Sequence, residues 1–330
     1  MMRIDTILNS LQKLKVLVIG DLILDHYIWG TVERISPEAP IPVVNVKTEN
    51  YVLGGAANVA LNIATLGASA ALAGTIGEDK AAQHFDALLK ESKISSDLLL
   101  RSAQAPTNIK TRVVAQRQQL CRLDYEANAC AYALEEASFL KALEAKIASY
   151  DAIILSDYAK GVLPSSLIQS IIHLAQSHGI LITVDPKPSH KLDFRGASLL
   201  TPNRAESYQL AGLEPSHYQS YPAAAICKII QERYEPKQLV ITLGAEGMLL
   251  CENGTILKHI PTYAREVFDV SGAGDTVIAC LTLALAVGAG LEEAAHFANI
   301  AAGIVVSKVG TATASPQDIL AYPVSNKSGT

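Results

Sequence analysis

The segment from Asp269 to Thr276 combines a glycine turn with the start of an apolar helix. Gly272, Ala273 and Gly274 are small, so the first free N–H groups of that helix can face an anion. Asp275 follows them. A carboxylate there stabilises the first turn of a helix, and it can also accept a proton from an attacking hydroxyl. The segment therefore predicts either an ordinary helix start or a site for phosphoryl transfer.

Composition excludes several classes of protein. The chain has 330 residues, of which 49% are hydrophobic and 18% charged, enough for a large folded core in one or two domains. A net charge of -5 gives no sign of a nucleic-acid or membrane partner. The longest apolar run, residues 277–291, is shorter than the roughly 20 residues that span a bilayer. Since the first 14 residues are mixed and polar, we expect a cytoplasmic protein.

The cysteines indicate neither a disulfide framework nor a zinc site. They are odd in number, scattered and without C-x-x-C spacing, so we expect free thiols in a reducing compartment. The five positions are Cys121, Cys130, Cys227, Cys251 and Cys280.

Repeated β-α units must position the glycine turn. Short apolar runs that end in polar or glycine residues alternate with helical patterns, which predicts a doubly wound, mostly parallel α/β sheet with helices on both faces. Ligands of such sheets bind at the carboxyl ends of the strands. Asp21 and Asp25 follow the first run, residues 16–19, and are candidates for holding substrate hydroxyls, although a turn cap is the alternative. Asp185 ends a later run in the same way.

Two excursions interrupt this alternation. Within residues 26–51 the run 42–47 alternates like a half-buried strand, and within residues 107–125 the runs 107–117 and 119–124 are β-like. We expect these segments to form a small sheet that covers the site as a lid. The second excursion carries basic residues that could meet a phosphorylated substrate or simply form a solvated face. These are Lys110, Arg112, Arg117 and Arg122.

The Gly54-Gly55-Ala56-Ala57-Asn58 helix start and the later Asp269–Asp275 motif, in that order, resemble the signature regions of the ribokinase (PfkB-type) carbohydrate kinases. The resemblance covers roughly residues 14–320. Longer segments resemble the branch of that family that phosphorylates D-glycero-β-D-manno-heptose 7-phosphate. They are Arg34–Val43, Gln118–Asp124, Leu155–Gly161 and Leu200–Asn203.

The resemblance implies one ribokinase-like kinase domain over residues 1–330, with the two excursions as its lid. It implies ATP-dependent phosphorylation of the anomeric hydroxyl to the 1,7-bisphosphate, on the route to ADP-heptose and lipopolysaccharide cores. Such kinases are often fused to a nucleotidyltransferase. Because the chain ends at Thr330, we expect the stand-alone form, with adenylyl transfer carried out by another protein.

The resemblance also implies roles for individual residues, wherever this sequence matches a motif of the family. Asp275 is the expected base, and the anion hole comprises Gly272, Ala273 and Gly274. Mg²⁺ and its waters are assigned to Asn203 and Glu206, and the ATP site to Thr242, Gly244 and Gly247. The sugar side comprises Asp21, Asp25, Gly54, Gly55, Asn58 and Asp185. A monovalent cation, K⁺, is expected at Asp269, although Val270 stands where many relatives have Thr.

We infer that the 7-phosphate is bound by cationic side chains, namely Lys110, Arg112, Arg122 and Lys187. A lid with apolar Ile41, Val43, Val113 and Leu120 needs a cover, so we expect a homodimer.

Three alternatives remain open from sequence. Another sugar or sugar-phosphate kinase of this family would share the fold and the base. A dinucleotide-dependent oxidoreductase is disfavoured because no G-x-G-x-x-G follows residues 16–19. A catalytically silent regulator is disfavoured because Asn203, Glu206 and Asp275 are all present.

Overall fold

The structure, a computed structural model, describes residues 3–116, 118–188 and 192–323. Its strands, numbered in chain order, are β1 (Lys15–Gly20), β2 (Leu22–Ile35), β3 (Pro42–Gly55), β4 (Ser69–Gly77), β5 (Ser95–Ser102), β6 (Ile109–Ala115), β7 (Gln118–Tyr125), β8 (Ala152–Ser156), β9 (Leu181–Asp185), β10 (Leu199–Leu200), β11 (Gln238–Thr242), β12 (Met248–Glu252) and β13 (Thr255–Ile260).

The helices pack on both faces of the larger sheet. They are α1 (Ile4–Leu11), α2 (Ala56–Thr65), α3 (Lys80–Glu91), α4 (Glu136–Glu144), α5 (Ser165–Ser177), α6 (Arg204–Ala211), α7 (Ala223–Tyr234), α8 (Ala273–Ala286), α9 (Leu291–Val305) and α10 (Pro316–Ala321).

Nine strands form the main sheet, in the order β13-β12-β11-β10-β9-β8-β1-β4-β5. The strands from β11 to β5 are parallel, and the β12–β13 hairpin adds an antiparallel edge. In β1, Val16 and Val18 enter one hydrophobic core while Leu17 and Ile19 enter the other, on the opposite face. A continuous apolar run therefore marks a strand buried on both faces, and the predicted doubly wound α/β fold is confirmed.

A second sheet of four strands, in the order β3-β2-β6-β7, forms the predicted lid. Strand β2 begins in the core at Leu22 and ends exposed at Ile35, so it connects the lid to the base of the main sheet. It lies parallel to β6 and antiparallel to β3. Arg117, one of the predicted basic residues, lies outside the described residues.

The structure corrects the expectation about the cysteines. Sulfurs of Cys227 on α7 and Cys251 on β12 are bonded, so the prediction of free thiols is wrong for this pair; Cys121, Cys130 and Cys280 are free. The pair lies 24 residues apart, and β12, which carries Cys251, returns antiparallel beside β11, the strand that follows α7; sequence did not predict β12. Within the described part of the chain, no helix is long and apolar enough to cross a membrane.

Candidate active site

The carboxylate of Asp275 lies at the centre of the site, in the first turn of α8. Its side chain is only 3% exposed. Oδ2 accepts a hydrogen bond from Nδ2 of Asn58 at 2.7 Å, and Oδ1 accepts one from the hydroxyl of Tyr158 at 2.5 Å. Three elements that are distant in sequence therefore converge on one carboxylate: α2, the loop after β8, and α8.

Burial raises the pKa of Asp275 to about 6. The hydrogen bonds from Tyr158 and Asn58 oppose that rise, and the nearby positive charge of Lys110 opposes it further, whereas the negative charge of Asp25 adds to it. A carboxylate in this range is ionised at neutral pH yet basic enough to accept a proton. The position is therefore suited to a general base.

The turn before Asp275 shows which N–H groups face outward. Gly272 caps α8 in the left-handed conformation, with φ of 77°. The N–H of Ala273 donates to the carbonyl of Val270 at 3.2 Å, so it is committed to the turn and is not free to bind an anion. Helix geometry leaves the N–H groups of Gly274 and Asp275 without intrahelical acceptors. The candidate anion hole is thus formed by Gly274 and Asp275 rather than by Ala273.

Asn58 is completely buried and faces Asp275. Its Oδ1 and main-chain carbonyl both lie within hydrogen-bond distance of Nδ2 of Asn62, whose Oδ1 accepts from the hydroxyl of Thr276 at 2.9 Å. This chain joins α2 to α8. One N–H of the Asn58 amide is therefore directed at Asp275, and the expected direct contact of Asn58 with the sugar stays a prediction.

Asp21 is also completely buried. Its Oδ2 accepts from the N–H groups of Tyr158 (2.8 Å) and Lys160 (3.0 Å), and its Oδ1 accepts from Val162 at 3.1 Å. With both oxygens occupied, Asp21 fixes the loop after β8. The expectation that Asp21 also holds a substrate hydroxyl stays a prediction.

Asp25 lies between Arg112 of the lid and Thr311. Its Oδ1 accepts from Nη1 of Arg112 at 2.5 Å, and its Oδ2 lies 3.4 Å from the hydroxyl of Thr311. A Cβ on Gly54 would lie 2.4 Å from Oδ2 of Asp25, so glycine is needed for the strand to pass this carboxylate. Gly55, with φ of 56°, then caps α2.

The basic residues of the lid share one face of the small sheet. Arg122 lies directly opposite Arg112 across β6 and β7, and Lys110 lies two residues before Arg112 on the same strand. Burial lowers the pKa of Lys110, and the charges of Arg112 and Arg122 lower it further, although Asp25 opposes them. Asp124 accepts two hydrogen bonds from Arg122. Three cations at such close quarters favour an anionic ligand.

Lys187 lies elsewhere. Its ammonium donates to Oε1 of Glu206 at 2.9 Å, and its N–H donates to Asp157 at 3.2 Å. The structure therefore groups Lys187 with the expected nucleotide side rather than with Lys110 and Arg112, contrary to the sequence prediction.

Asn203 and Glu206 begin α6 with a reciprocal capping box. Oδ1 of Asn203 accepts the N–H of Glu206 at 3.0 Å, and Oε2 of Glu206 accepts the N–H of Asn203 at 2.9 Å. Asp185 is close by, and its pKa is raised well above the ordinary value by burial and by the negative charges of Glu206 and Asp275. Thr201 donates to Asp185 at 3.3 Å.

The negative charges of Asp185 and Glu206 near the start of α6 could be balanced by a divalent cation. In residues 3–116, 118–188 and 192–323, no three His, Cys, Asp or Glu side chains are arranged to hold a metal directly. Mg²⁺ usually keeps several waters and binds through one or two carboxylates plus phosphates. Glu206 and Asn203 therefore fit a metal that is held mainly through water and nucleotide, since their oxygens are partly used by the capping box.

The remaining nucleotide-side residues surround β11. Thr242 pairs with Asn203 in an isolated parallel bridge. Gly244, with φ of 62°, is open to solvent. A Cβ on Gly247 would lie 2.0 Å from the carbonyl of Ile260, so glycine there lets the turn pack against the end of β13. The role of these three residues in binding ATP stays a prediction.

Asp269 ties the turn before α8 to the loop after α9. Its carboxylate accepts from the N–H groups of Ser271 (2.9 Å) and Gly310 (3.0 Å). Burial alone would raise the pKa of Asp269, but these donors and the charge of Arg112 hold it below the ordinary value. An ionised carboxylate is compatible with a monovalent cation, which stays a prediction.

Sequence reasoning missed two residues of the site. The hydroxyl of Thr311 lies between Asp25 and the hydroxyl of Tyr27. Tyr158 was noted only as part of a longer resemblance. Its position directly after a buried strand was the available signal, because polar groups at strand ends face the cleft.

The arrangement of sheet, lid and buried carboxylate is that of a known family. Residues 13–318 match the model described as pfkB family carbohydrate kinase, and the chain belongs to that family. It is a carbohydrate kinase of that family. Among curated relatives, the bifunctional protein HldE of Helicobacter pylori strain J99 is 45% identical, covering 92% of this chain and 65% of the relative. That of Wolinella succinogenes is 42% identical, covering 98% and 67%. The chain thus spans about two thirds of these relatives' length.

Solved structures agree on the fold. A ribokinase of Arabidopsis thaliana, complexed with ribose and ATP, superposes with a TM-score of 0.74 at 21% identity, over 93% of this chain and 97% of that chain. Phosphofructokinase-2 of Escherichia coli, in complex with potassium, superposes with a TM-score of 0.74 at 21% identity, over 94% and 98%. The predicted ribokinase-like fold with a small second sheet is therefore confirmed.

Proposed function

We propose that the protein transfers the γ-phosphoryl group of ATP to the anomeric hydroxyl of D-glycero-β-D-manno-heptose 7-phosphate, giving the 1,7-bisphosphate for ADP-heptose and lipopolysaccharide core synthesis. The long matches to HldE proteins support this substrate over other sugars of the family. The proposal concerns the kinase reaction alone.

The buried carboxylate of Asp275, with its pKa of about 6, is the observation that carries the proposal. The acceptor hydroxyl would lie beside Asp275 and give its proton to that carboxylate. The hydroxyl oxygen then bonds to the γ-phosphorus while the bond to the ADP oxygen breaks, and the electron pair leaves with ADP. The N–H groups of Gly274 and Asp275 would stabilise the charge on the transferring group.

Mg²⁺, when bound with ATP, would neutralise phosphate charge. This chain would hold it near Glu206 and Asn203, whose capping box fixes the carboxylate at the start of α6. The adjacent β11 turn, with Thr242, Gly244 and Gly247, would receive the nucleotide. We assign a K⁺ ion to the vicinity of Asp269, where it would support the turn that leads into the anion hole.

A phosphate on the far end of the sugar explains the basic face of the lid. Lys110, Arg112 and Arg122 lie on one side of the small sheet, next to Asp25. Asp25 would bind a sugar hydroxyl, and the guanidinium of Arg112 would divide its donors between Asp25 and the 7-phosphate. A kinase for a sugar without phosphate has no need of three such cations. Ribose and other neutral sugars are therefore disfavoured.

The discriminating experiment is an ADP-release assay on the purified protein with four acceptors: heptose 7-phosphate, fructose 6-phosphate, fructose 1-phosphate and ribose. We expect kcat/KM for the heptose to exceed that for each of the others by at least tenfold. Preference for fructose 6-phosphate or fructose 1-phosphate would favour the alternative, another sugar-phosphate kinase of the family. That result would retain Asp275 as base but discard the heptose.

Exposed apolar side chains of the lid support a homodimer. Ile41 is 57% exposed, Leu120 37%, Leu123 46% and Tyr125 54%, so a single subunit leaves them in water. Leu123→Asp should shift the sedimentation coefficient from dimer to monomer. Leu257→Asp, at a 53% exposed position on β13, is the matched control and should remain dimeric. A wild-type protein that sediments only as monomer would contradict the proposal.

A further inference from the structure

The backbone of Tyr158 is fixed by a hydrogen bond to Asp21. It lies in the loop after β8, where Asp21 accepts its N–H at 2.8 Å and that of Lys160 at 3.0 Å. Asp21 is completely buried, so this clamp is shielded from water. The loop is therefore fixed relative to β1 and β8, and the ring of Tyr158 has a defined direction.

The hydroxyl of Tyr158 donates a hydrogen bond to the carboxylate of Asp275. That hydroxyl lies 2.5 Å from Oδ1, while Asn58 occupies one position on Oδ2 at 2.7 Å. Each carboxylate oxygen has about two lone-pair sites, so each retains one. The two donors approach from different elements and fix the plane of the carboxylate, leaving a lone pair for an incoming hydroxyl.

The charged groups around Asp275 are mainly negative. Asp25 of β2 raises its pKa, and Lys110 of β6 lowers it. Asp185, at the end of β9, is also close enough to interact, and α2 contributes only the neutral amide of Asn58. Burial and the carboxylates of Asp275 and Asp185 raise the pKa of Tyr158 well above its ordinary value. The phenol therefore stays protonated, and it donates throughout the neutral range.

We propose that Tyr158 is a positioning residue for Asp275: its hydroxyl fixes the carboxylate and keeps that carboxylate ionised in a buried, negatively charged site. This inference rests on the proposed function, in which Asp275 accepts the proton. Without the Tyr158 donor, Asp275 would hold its own proton at a higher pH and would face the acceptor hydroxyl in a less defined direction.

The first test reads the carboxylate itself and needs no substrate. The full-length protein is labelled with ¹³C at aspartate Cγ, and the Asp275 signal is assigned as the one absent from Asp275→Asn. Tyr158→Phe should raise the titration midpoint of that signal by about one to two pH units, because a hydrogen bond to a charged group has that strength. An unchanged midpoint in a folded variant would overturn the proposal.

The second test separates this role from general loss of structure. Tyr132→Phe is the matched control: Tyr132 is fully buried, donates to the carbonyl of Pro106 at 2.9 Å and accepts from the N–H of Ala127, remote from Asp275. Both variants should lower the melting temperature, but only Tyr158→Phe should shift the acid limb of kcat/KM upward. An equal shift in both variants would contradict the assignment.

A double-mutant cycle tests whether Tyr158 acts through Asp275. If Tyr158 acts through Asp275, Tyr158→Phe should lower kcat at pH 6 about tenfold or more in wild type, yet change it less than twofold in the Asp275→Asn background. A full effect in that background would overturn the inference. Failure of the heptose as substrate would instead leave the NMR result intact, so the two proposals fail separately.

Discussion

Asn58 on α2 donates its side-chain amide to Oδ2 of Asp275 on α8 at 2.7 Å, although 217 residues separate them in the chain. This contact joins the two glycine-containing helix starts into a single site. It also explains one glycine, because a Cβ on Gly272 would lie 2.7 Å from Nδ2 of Asn58. The motif thus requires a small residue both for its left-handed backbone and for the space that Asn58 occupies.

Gly272→Ala should therefore lose both stability and turnover. An alanine at φ of 77° costs about 1–2 kcal/mol of stability, and its Cβ would displace Asn58 from Asp275. We expect turnover to fall roughly 10–100-fold, since small misplacements at a reacting centre have that effect. Gly288→Ala is the control: its φ is 86°, but no atom lies within 4 Å of the added Cβ. It should lose stability and keep its turnover. Equal turnover in the two variants would contradict this reading of Gly272.

Asp275→Asn should lower kcat by about 10²–10⁴-fold, the usual value of general-base assistance. ATP binding, measured by calorimetry, should change little, because the nucleotide side of the site is built by other residues. Asp97→Asn, at a 70% exposed side chain that pairs with Lys146, is the matched control and should be fully active. A loss below tenfold in a correctly folded Asp275→Asn protein would be incompatible with the base assignment.

The same substitution should stabilise the protein at alkaline pH. The pKa of Asp275 is about 6 in the folded state against 3.8 in the unfolded chain, so the folded state binds the proton more tightly. The stability gained from that proton is complete below pH 3.8 and is lost as the pH rises through 6. At pH 8 the ionised carboxylate costs about 3 kcal/mol, which Asn avoids.

Chemical denaturation at pH 8 and pH 5 measures this effect. Asp275→Asn should unfold at a higher denaturant concentration than wild type, with the larger difference at pH 8. Comparing the two proteins at each pH cancels the titration of all other groups. A variant that is less stable than wild type at pH 8 would show that the buried charge is compensated by its hydrogen bonds.

Arg112→Ala should weaken the distinction between phosphorylated and unphosphorylated substrates. Removing a charge-assisted hydrogen bond costs roughly 10–100-fold in affinity, and we expect that loss in KM for heptose 7-phosphate but not for the unphosphorylated heptose. Arg101→Ala removes an exposed guanidinium that pairs with Asp86 and should alter neither value. An equal rise in KM for both sugars would assign Arg112 to Asp25 alone.

The main sheet was predictable from sequence for a simple physical reason. Parallel strands buried on both faces are continuous apolar runs, and β1, β4 and β8 have that form. Strand β2 was missed because its 14 residues pass from the core to the exposed lid, so no single burial period describes it. The short β10 and the β12–β13 hairpin carry equally little local signal.

The site was predictable in its motifs but not in its contacts. Asp275 was identified because a glycine turn and a helix start are local features. The contacts of Asp21 and Asn58 were not predictable, since their partners, Tyr158 and Asp275, lie 137 and 217 residues away. A buried polar residue after a strand looks the same in sequence whether it binds a ligand or supports the residue that does.

The central claim is that Asp275 directs ATP-dependent phosphorylation to the anomeric oxygen of a seven-carbon sugar phosphate. ³¹P NMR of the product formed from ATP and D-glycero-β-D-manno-heptose 7-phosphate tests it most directly. We expect a second phosphate monoester signal coupled to the anomeric proton, absent with Asp275→Asn over the same reaction time. A new phosphate on any other carbon, or release of inorganic phosphate without sugar phosphorylation, would contradict it.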